Sequence, residues 1–238
     1  MRITEIWRYP VKSVGGETLL SAEITALGIA GDRGWGIFDL ATGTTLTARR
    51  TPELLFASAR IVDGELAIRL PDGTEVGDDG SDTVSAWLDR EVELRSAGSG
   101  DPEVGGRYEV PLDVERDEDW VSWEGPGGAF HDSARARVSL VSESTLGDRD
   151  RRRFRANVIV DGDGENGLVG RSVSVGDARL DVVKRIDRCV MVTRPQPGLD
   201  RDLDVLRTIA SDEDNCLGIG CVVTAEGEIA VGTEVRPA

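Results

Sequence analysis

Short apolar runs, each broken by glycine, proline or aspartate, constrain the fold of this chain more than any other feature of its sequence. Runs of this length between turn residues are typical of β-strands. The clearest helical spacing appears in two short segments: Thr83 to Asp89, with Ser81-Asp82 as its N-cap, and a segment that starts at Asp202. Many short strands with few helices indicate a mainly β, barrel-like architecture with a few short helices.

The predicted strands are distributed over both halves of the chain, and no repeat of fixed period links them. In the first half they cover Ile3 to Tyr9, Leu20 to Thr25, Trp35 to Asp39, Leu55 to Ile61, Leu66 to Leu70 and Glu91 to Leu94. In the second half they cover Val138 to Val141, Asn157 to Asp161, Ser172 to Val175, Arg179 to Val183, Cys189 to Thr193, Cys221 to Thr224 and Glu228 to Val231. A hairpin turn is predicted at Glu226-Gly227, between the last two strands.

The stretch from Ser96 to Gly106 divides the chain into two predicted domains. It is rich in glycine, serine and acidic residues and has no apolar periodicity, as expected of a linker. We therefore predict a first domain over residues 1–97, a linker over 98–106 and a second domain over 107–238. Within the second domain, the charge run from Asp113 to Asp119 predicts a solvated loop.

Charge and cysteine content limit the class of protein. The chain has 238 residues and a formal net charge of −16, which argues against nucleic acid and anionic membranes as partners, since both require a basic surface. It has no N-terminal apolar stretch of signal-peptide length and no later stretch that could span a membrane. Three cysteines do not form a disulfide framework, so the sequence predicts a cytoplasmic, reduced protein.

Cys189 stands between Arg188 and a run rich in β-branched residues. Its thiolate could bind a soft or redox-active metal, or act as a nucleophile whose pKa Arg188 lowers. A buried structural cysteine explains the same residue. Cys216 and Cys221, five positions apart, fit no zinc or cluster spacing and are predicted to lie in the core.

Lys12 is conspicuous because the only other lysine in the chain is Lys184. The pair Lys12-Ser13 precedes Gly15-Gly16, and this combination suits an anion such as phosphate. Lysine, serine and backbone N–H groups all donate hydrogen bonds, and glycine lets the backbone approach closely. An exposed surface turn explains these residues equally well.

Two groups of residues together resemble the MOSC family, which is named for the C-terminal domain of molybdenum cofactor sulfurases. In the first half the resemblance runs through Tyr9-Pro10-Val11-Lys12-Ser13, Gly31-Asp32-Arg33, and Leu46-Thr47-Ala48-Arg49 with Pro52 and Leu54. In the second half it runs through Phe130-His131-Asp132, Ser142-Glu143-Ser144, Phe154-Arg155-Ala156-Asn157, Arg188-Cys189 and Gly227 to Gly232. The resemblance implies an N-terminal MOSC β-barrel-like domain followed by a MOSC β-barrel domain, similar to the amidoxime-reducing molybdoenzymes.

The same resemblance implies a site for the molybdenum cofactor, in which molybdenum is held by molybdopterin. Cys189 would be the metal ligand through its thiolate, which must be deprotonated to bind. The residues implied to hold the cofactor are Lys12, Ser13, Arg33, Arg49, Ser144, Thr145, Arg155, Asn157 and Arg188. We expect Lys12, Arg33, Arg155 and Cys189 to meet in one cleft between the two domains.

Two local patterns support part of this assignment. Arg155 and Asn157 stand at alternate positions where a predicted strand begins, so their side chains are expected on one face, where they suit a phosphate or a pterin ring. Ser144 and Thr145 stand in the first turn of a helix capped by Ser142, where free N–H groups attract anions. Simple capping explains Ser144 and Thr145 equally well.

Two further residues are candidates for proton transfer. Asp187 precedes Cys189 by two positions, where the amidoxime-reducing enzymes carry a small hydroxyl residue, and it could relay protons or only orient Arg188. This difference leaves the substrate open. His131 is the only histidine, and proton transfer near neutral pH is the usual chemistry of that residue, although a lone histidine more often has a structural role.

The resemblance implies an oxidoreductase that reduces N-hydroxylated or N-oxide small molecules by oxygen-atom transfer. The chain lacks cysteines placed for an iron–sulfur cluster and a glycine-rich dinucleotide fingerprint after a strand. Electrons would therefore come from a separate donor protein, either a reductase or a ferredoxin-like protein. Two alternatives remain open: a carrier or transferase that uses a persulfide on Cys189, and a non-catalytic barrel that binds a small anion.

Overall fold

A computed structural model of the protein describes residues 1–97, 106–111 and 120–238. The strands of the first part are β1 Ile3–Arg8, β2 Glu17–Leu19, β3 Ser21–Thr25, β4 Gly28–Ile29, β5 Trp35–Asp39, β6 Thr44–Thr45, β7 Ser58–Val62, β8 Glu65–Arg69, β9 Glu75–Val76 and β10 Val92–Ser96. A hairpin follows, made of β11 Arg107–Pro111 and β12 Trp120–Glu124. The remaining strands are β13 Val138–Ser142, β14 Val158–Val160, β15 Ser172–Val175, β16 Ala178–Asp187, β17 Cys216–Ala225, β18 Gly227–Ala230 and β19 Val235–Pro237.

Helices are few and short, which confirms the prediction of a mainly β protein with a few short helices. The α-helices are α1 Ser81–Leu88, α2 Glu143–Leu146 and α3 Asp204–Asp212. The 3-10 helices are Pro52–Phe56, Arg151–Arg153, Glu165–Leu168 and Val190–Thr193. Each helix connects or covers strands, and the sheets form the framework of the molecule.

Eight strands form one curled, half-barrel sheet in the order β19-β15-β16-β17-β13-β14-β1-β2. Only β13 and β14 are parallel among these neighbours. All three residues of β14, Val158-Ile159-Val160, are buried, as expected for a strand that is covered on both faces. β1 pairs with β14, with Ile6 opposite Val158, so the first strand of the chain extends the sheet that its second half builds.

A second sheet also joins the two halves of the chain. β18 pairs with β3, with Ile229 opposite Ala22, and β3 pairs in turn with β4. Two three-stranded sheets, β10-β5-β6 and β7-β8-β9, are built from the first half alone. The predicted domains, 1–97 and 107–238, therefore exchange strands in two places. The predicted linker lies outside the described residues except for Gly106, and so does the predicted loop from Asp113 to Asp119.

Burial of apolar residues follows the same division. One core cluster combines Ile3, Ile6 and Ile24 of the first half with strands of the second, Leu140 and Val158 among them. Another cluster comes from the first half alone and lies under β5, β7, β8, β10 and α1. The first cluster stabilises both halves at once, because burial of its apolar surface requires residues from each.

Two predicted strand arrangements are wrong. The run from Cys189 to Thr193 is extended only at Cys189, and Val190–Thr193 forms a 3-10 helix. Its apolar side chains are buried in this turn as well as they would be in a strand, and β-propensity reflects such packing more than a backbone preference. The predicted final hairpin does not form, because β18 leaves β17 at Glu226 and pairs with β3.

Two predicted boundaries also shift. The run from Leu55 to Ile61 begins in the 3-10 helix that starts at Pro52 and becomes a strand only at Ser58. The helix predicted to start after Ser81-Asp82 includes both residues, and its N-cap is Gly80. The Ser81 hydroxyl instead accepts a hydrogen bond from the Leu94 N–H, at 3.0 Å, which ties α1 to β10.

The shared sheet predicts that the two halves unfold together. Ile6→Ala removes a fully buried side chain of β1 and should lower the free energy of unfolding by about 2–5 kcal/mol, in one transition for the whole protein. Leu20→Ala is the control, since Leu20 is 85% exposed and its loss should change the free energy by about 0.5 kcal/mol or less. Urea titrations followed by tryptophan fluorescence and far-UV circular dichroism check both variants. Two separate transitions, with only one of them shifted by Ile6→Ala, would contradict the shared sheet.

Candidate functional site

A cleft of about 360 Å³ opens between segments from the two halves of the chain. Its basic lining residues are Lys12, Arg33, Arg49, Arg155, Lys184 and Arg188, its acidic ones are Asp132 and Asp187, and Cys189 lies among them. In a chain with a net charge of −16, six basic groups against two acidic ones make this cleft locally positive. Such a cleft concentrates anions.

Lys12 reaches the cleft from the loop that follows β1. Its backbone N–H donates to the carbonyl of Trp35 at 2.9 Å, which fixes the loop beside β5. Lys12 is 4% exposed, and its ammonium lies 2.9 Å from Oδ1 of Asp132. Desolvation by burial lowers the pKa of Lys12 to about 8, although Asp132 favours the charged form. Ser13, the next residue, is also buried against the cleft.

Arg33 is held by its neighbour Asp32. The Asp32 carboxylate forms an ion pair with the Arg33 guanidinium and accepts a hydrogen bond from the backbone N–H of Tyr9 at 2.7 Å. Arg33 in turn donates through Nη2 to the carbonyl of Arg155 at 3.3 Å. These contacts join three separate segments at the floor of the cleft.

Arg155 is a buried cation whose hydrogen bonds are incomplete. Its Nη1 donates to the carbonyl of Val14 at 2.6 Å, and its guanidinium lies 4.2 Å from the centre of the Tyr9 ring. Among the described residues its buried Nη2 has no hydrogen-bond partner. Desolvation and the charge of Arg33 lower the pKa of Arg155 to about 10, so it stays charged at neutral pH. A buried, charged donor without an acceptor is costly, and an anion in the cleft would satisfy it.

Asp132 was not among the predicted site residues, although it stands in the Phe130-His131-Asp132 motif. Its Oδ1 contacts both Lys12 and Arg49, each at 2.9 Å, and its side chain is half-exposed to the cleft. Desolvation raises the pKa of Asp132, but Arg49 and Lys12 outweigh it and hold that pKa well below its usual range. Asp132 therefore stays ionised and fixes the two cations side by side.

Cys189 lies at the end of β16, directly before a 3-10 helix. The backbone around it is fixed because Arg188 N–H donates to the Asn215 carbonyl at 2.8 Å. The Arg188 guanidinium donates to the carbonyls of Phe154 and Leu217. Desolvation lowers the pKa of Arg188 to about 10. Cys189, Arg49 and Arg188 all line the cleft, so the thiol and these two guanidiniums share one cavity.

Backbone strain is concentrated at this cleft. Seven described non-glycine residues have a positive φ, and four of them are aspartate or asparagine, which tolerate it. The other three are Ser13 at 66°, Arg33 at 53° and Arg155 at 51°, and all three line the cleft. Such conformations cost of order 1–3 kcal/mol each and cluster at functional sites. This strain therefore occurs at residues whose side chains line the cleft.

Three of the predicted cofactor-binding residues, Ser144, Thr145 and Asn157, are not among the residues that line the cleft. Asn157 accepts hydrogen bonds from the N–H and the hydroxyl of Ser139 and donates to the carbonyl of Trp7 at 3.3 Å. The side chains of Asn157 and Arg155 do not lie on one face of a strand as predicted. Arg155 has a left-handed backbone conformation, and the strand begins only at Val158. The N–H of Thr145 donates to the Ser142 hydroxyl at 3.1 Å, so helix capping accounts for Thr145. The N–H of Ser144 donates to the carbonyl of Gly162 at 3.4 Å.

The two predicted proton-transfer residues differ in environment. His131 is buried, and its Nε2–H donates to the carbonyl of Leu27 at 3.1 Å. Desolvation and the charge of Arg33 lower the pKa of His131 to about 3, so it is neutral at pH 7, which favours its structural role over proton transfer near neutral pH. Asp187 lies at the rim, where Lys184 contacts it at 2.7 Å. The hydrogen bond from Lys184 holds the pKa of Asp187 below its usual value.

The donor set limits what kind of metal site the cleft can form. Within residues 1–97, 106–111 and 120–238, no three histidine, cysteine or acidic side chains are grouped to hold a metal ion. A metal beside Cys189 would therefore need most of its ligands from a bound organic group. The positive lining, the thiol and the unsatisfied Arg155 donor fit an anionic group that carries a metal.

Within the part of the chain that the structure describes, no helix is long and apolar enough to cross a membrane.

Two domain families match the chain. Residues 1–95 match the MOSC N-terminal beta barrel domain, and residues 125–236 match the MOSC domain. All cleft residues lie inside these two ranges.

Known proteins with similar sequences include two amidoxime-reducing components. Mitochondrial amidoxime-reducing component 1 of Mus musculus is 25% identical over 249 residues, which cover 88% of this chain and 70% of the relative. Mitochondrial amidoxime reducing component 2 of Bos taurus is 22% identical over 260 residues, covering 88% and 71%. Among solved structures, the YUAD protein from Bacillus subtilis has a TM-score of 0.44 and 14% identity, covering 98% of this chain and 93% of that one.

The buried ammonium of Lys12 predicts a pH dependence for anion binding. Lysine is charged below its pKa, so sulfate affinity should be highest below pH 8 and fall as the pH rises through about 8, the pKa of Lys12, by up to about tenfold per pH unit. Sulfate suits the test because its own charge is constant over this range. Calorimetric titration at low ionic strength gives the affinity.

Lys12→Arg is the matched control for this prediction. Arginine stays protonated over the whole range, so its variant should bind sulfate with nearly constant affinity from about pH 7 to pH 9.5. Parallel pH curves for the wild type and Lys12→Arg would contradict the assigned role of Lys12, and absence of sulfate binding at any pH would contradict the anion site.

Proposed function

The chain belongs to the MOSC family, with a MOSC N-terminal β-barrel domain followed by a MOSC domain, and we propose that it is a molybdenum-cofactor-dependent oxidoreductase. Its similarity to two amidoxime-reducing components supports an oxidoreductase. The substrate class is N-hydroxylated or N-oxide small molecules, and the reaction is oxygen-atom transfer. Electrons come from a separate donor protein.

One observation carries this proposal: the Cys189 thiol opens into the same cleft as six basic side chains. Thiolate is a suitable ligand for a redox-active metal, and the basic groups suit the phosphate and the polar ring edge of a pterin. A metal without a pterin would not use the basic groups, and a phosphate without a metal would not use the thiol. The combination favours a group that has both.

The buried cations bind the anionic part of the cofactor in this proposal. Lys12 and Arg155 are nearly inaccessible to water, so each contact with a phosphate is made in a medium of low polarity, where it is strong. Arg155 uses the donor that has no partner among the described residues. Arg33 orients Arg155 by donating a hydrogen bond to the backbone carbonyl of Arg155. Ser13 adds a hydroxyl from the strained turn next to Lys12.

Cys189 would hold the metal through its sulfur, and Arg49 and Arg188 line the same cleft. The thiolate is the form of cysteine that binds metals. When bound, the cofactor supplies two-electron oxygen-atom transfer. The protein orients the substrate against it and provides protons from solvent, with Asp187 at the rim as the proposed relay. His131 is given no role in this step, because burial lowers its pKa to about 3 and its Nε2 is bonded to the Leu27 carbonyl.

Cys189→Ser tests the proposal directly. Serine keeps the volume of the side chain but replaces a soft ligand with a hard one, so turnover of a simple amidoxime with an artificial electron donor should be abolished. The pterin content per chain should persist, because the basic groups that bind it are unchanged. Turnover, molybdenum by elemental analysis and pterin by fluorescence are measured on protein from a host that makes the cofactor.

Cys216→Ser is the matched control, since Cys216 lies on β17 outside the cleft lining. Its thiol donates to Asp187 at 3.5 Å, and the serine hydroxyl can donate to the same carboxylate. This variant should keep metal, pterin and turnover. Full turnover in Cys189→Ser would contradict ligation through that sulfur. A persulfide on Cys189 in protein that contains neither molybdenum nor pterin would favour a carrier instead, and protein that contains none of these would favour a non-catalytic anion binder.

A further inference from the structure

The hairpin of β11 and β12 lies between the two family-matched ranges and belongs to neither. The first range ends at residue 95 and the second begins at residue 125, whereas the hairpin strands are Arg107–Pro111 and Trp120–Glu124. This hairpin nevertheless contacts Lys12, which lines the cleft. Its contacts with Lys12 and Arg50 involve aromatic rings and one ion pair.

Tyr108 of β11 places its ring against the ammonium of Lys12. The Lys12 Nζ lies 4.5 Å from the ring centre, within the range of a cation–π interaction. Tyr108 is fully buried and packs against Trp123, with 5.1 Å between the ring centres. A Cβ on Gly106 would lie 2.5 Å from the Tyr108 ring and one on Gly125 would lie 2.4 Å from it. The ring therefore has a narrowly defined position.

Arg50 attaches the hairpin at a second point. Its guanidinium forms an ion pair with Glu109 of β11 and lies 5.1 Å from the ring centre of Trp120 on β12. Arg50 directly follows Arg49, which contacts Asp132 and lines the same cleft as Cys189. The hairpin is thus fixed to the two loops that carry Lys12 and Arg49.

The Tyr108 ring and the Asp132 carboxylate have different effects on the Lys12 ammonium. Asp132 stabilises the ammonium but also neutralises its charge toward any other anion. The π-face of Tyr108 stabilises the ammonium while carrying no net charge. With the ring behind it, a buried ammonium stays protonated and points toward the cleft.

We propose that Tyr108 is a positioning residue that holds the charged ammonium of Lys12 toward an oxyanion in the cleft. The inference rests on the anion-binding role of Lys12 in the proposed function. It makes the hairpin a third component of the site, beside the two MOSC domains. Tyr108 does not line the cleft and acts only through Lys12.

Sulfate titration of Tyr108 variants tests this role. Tyr108→Leu removes the π-face, and the sulfate dissociation constant at pH 7 should rise by about fivefold or more. Tyr108→Phe keeps the ring and should stay within about twofold of the wild type. In a Lys12→Met background the Tyr108→Leu change should have almost no further effect, because the two residues act as a pair.

Pentafluorophenylalanine at position 108 removes the concern that Tyr108→Leu fails to fold. This residue has nearly the shape of phenylalanine but a reversed ring quadrupole, so it should weaken sulfate binding as Tyr108→Leu does while the melting temperature stays near that of Tyr108→Phe. Wild-type affinity in the pentafluorophenylalanine protein overturns the proposal.

The two levels of inference fail in different ways. Unchanged sulfate affinity in Lys12→Met contradicts the anion-binding role of Lys12 in the proposed function. Weaker binding in Lys12→Met, together with wild-type affinity in the pentafluorophenylalanine protein, contradicts only the role of Tyr108. Weaker binding in both, and no additive loss in the double variant, supports both.

Discussion

The buried ion pair of Asp32 with Arg33 is the interaction on which the geometry of the cleft depends. The Asp32 carboxylate fixes Arg33 and the backbone of Tyr9, and Arg33 fixes the carbonyl of Arg155. The Phe130 N–H donates to the Arg33 carbonyl at 2.8 Å, which places the segment that carries Asp132. One pair thereby organises segments that are far apart in sequence. A buried ion pair contributes little net stability after desolvation, so its value here is positional.

Charge repulsion and backbone strain, which both destabilise the folded state, occur together at the cleft. Basic groups lie close enough to depress one another's pKa values, and Arg33 does this to Arg155. Ser13, Arg33 and Arg155 also adopt left-handed backbone conformations, which glycine and asparagine tolerate better than these residues do. An anionic ligand would offset the repulsion and satisfy the Arg155 donor. The sharing of strands between the two halves supplies a rigid framework that can hold such a site.

The sequence predicts the class of fold well because strand length and turn residues are local properties. It does not predict that β1 joins the sheet of the second half or that β18 leaves its neighbour, since both depend on pairing between distant segments. The run after Cys189 illustrates the same limit: its residues have high β-propensity, and tertiary packing still folds them into a 3-10 helix.

The motifs predict most of the residues that meet in the cleft. They do not predict the environment of each residue. Burial makes His131 neutral, and hydrogen bonds to Ser139 and Trp7 occupy Asn157. Neither effect is visible in residue identity. Asp132 could have been found from its motif, since an acid between basic segments suggests an ion pair. Tyr108 could not, because it lies in a segment outside both matched domains.

Molybdenum K-edge X-ray absorption of the purified protein tests most directly whether Cys189 and the basic cleft hold a molybdenum cofactor. Extended fine structure counts the sulfur neighbours of the metal. The account predicts one more sulfur neighbour in the wild type and in Cys216→Ser than in Cys189→Ser. The same number of sulfur neighbours in all three proteins, with molybdenum bound, would contradict it.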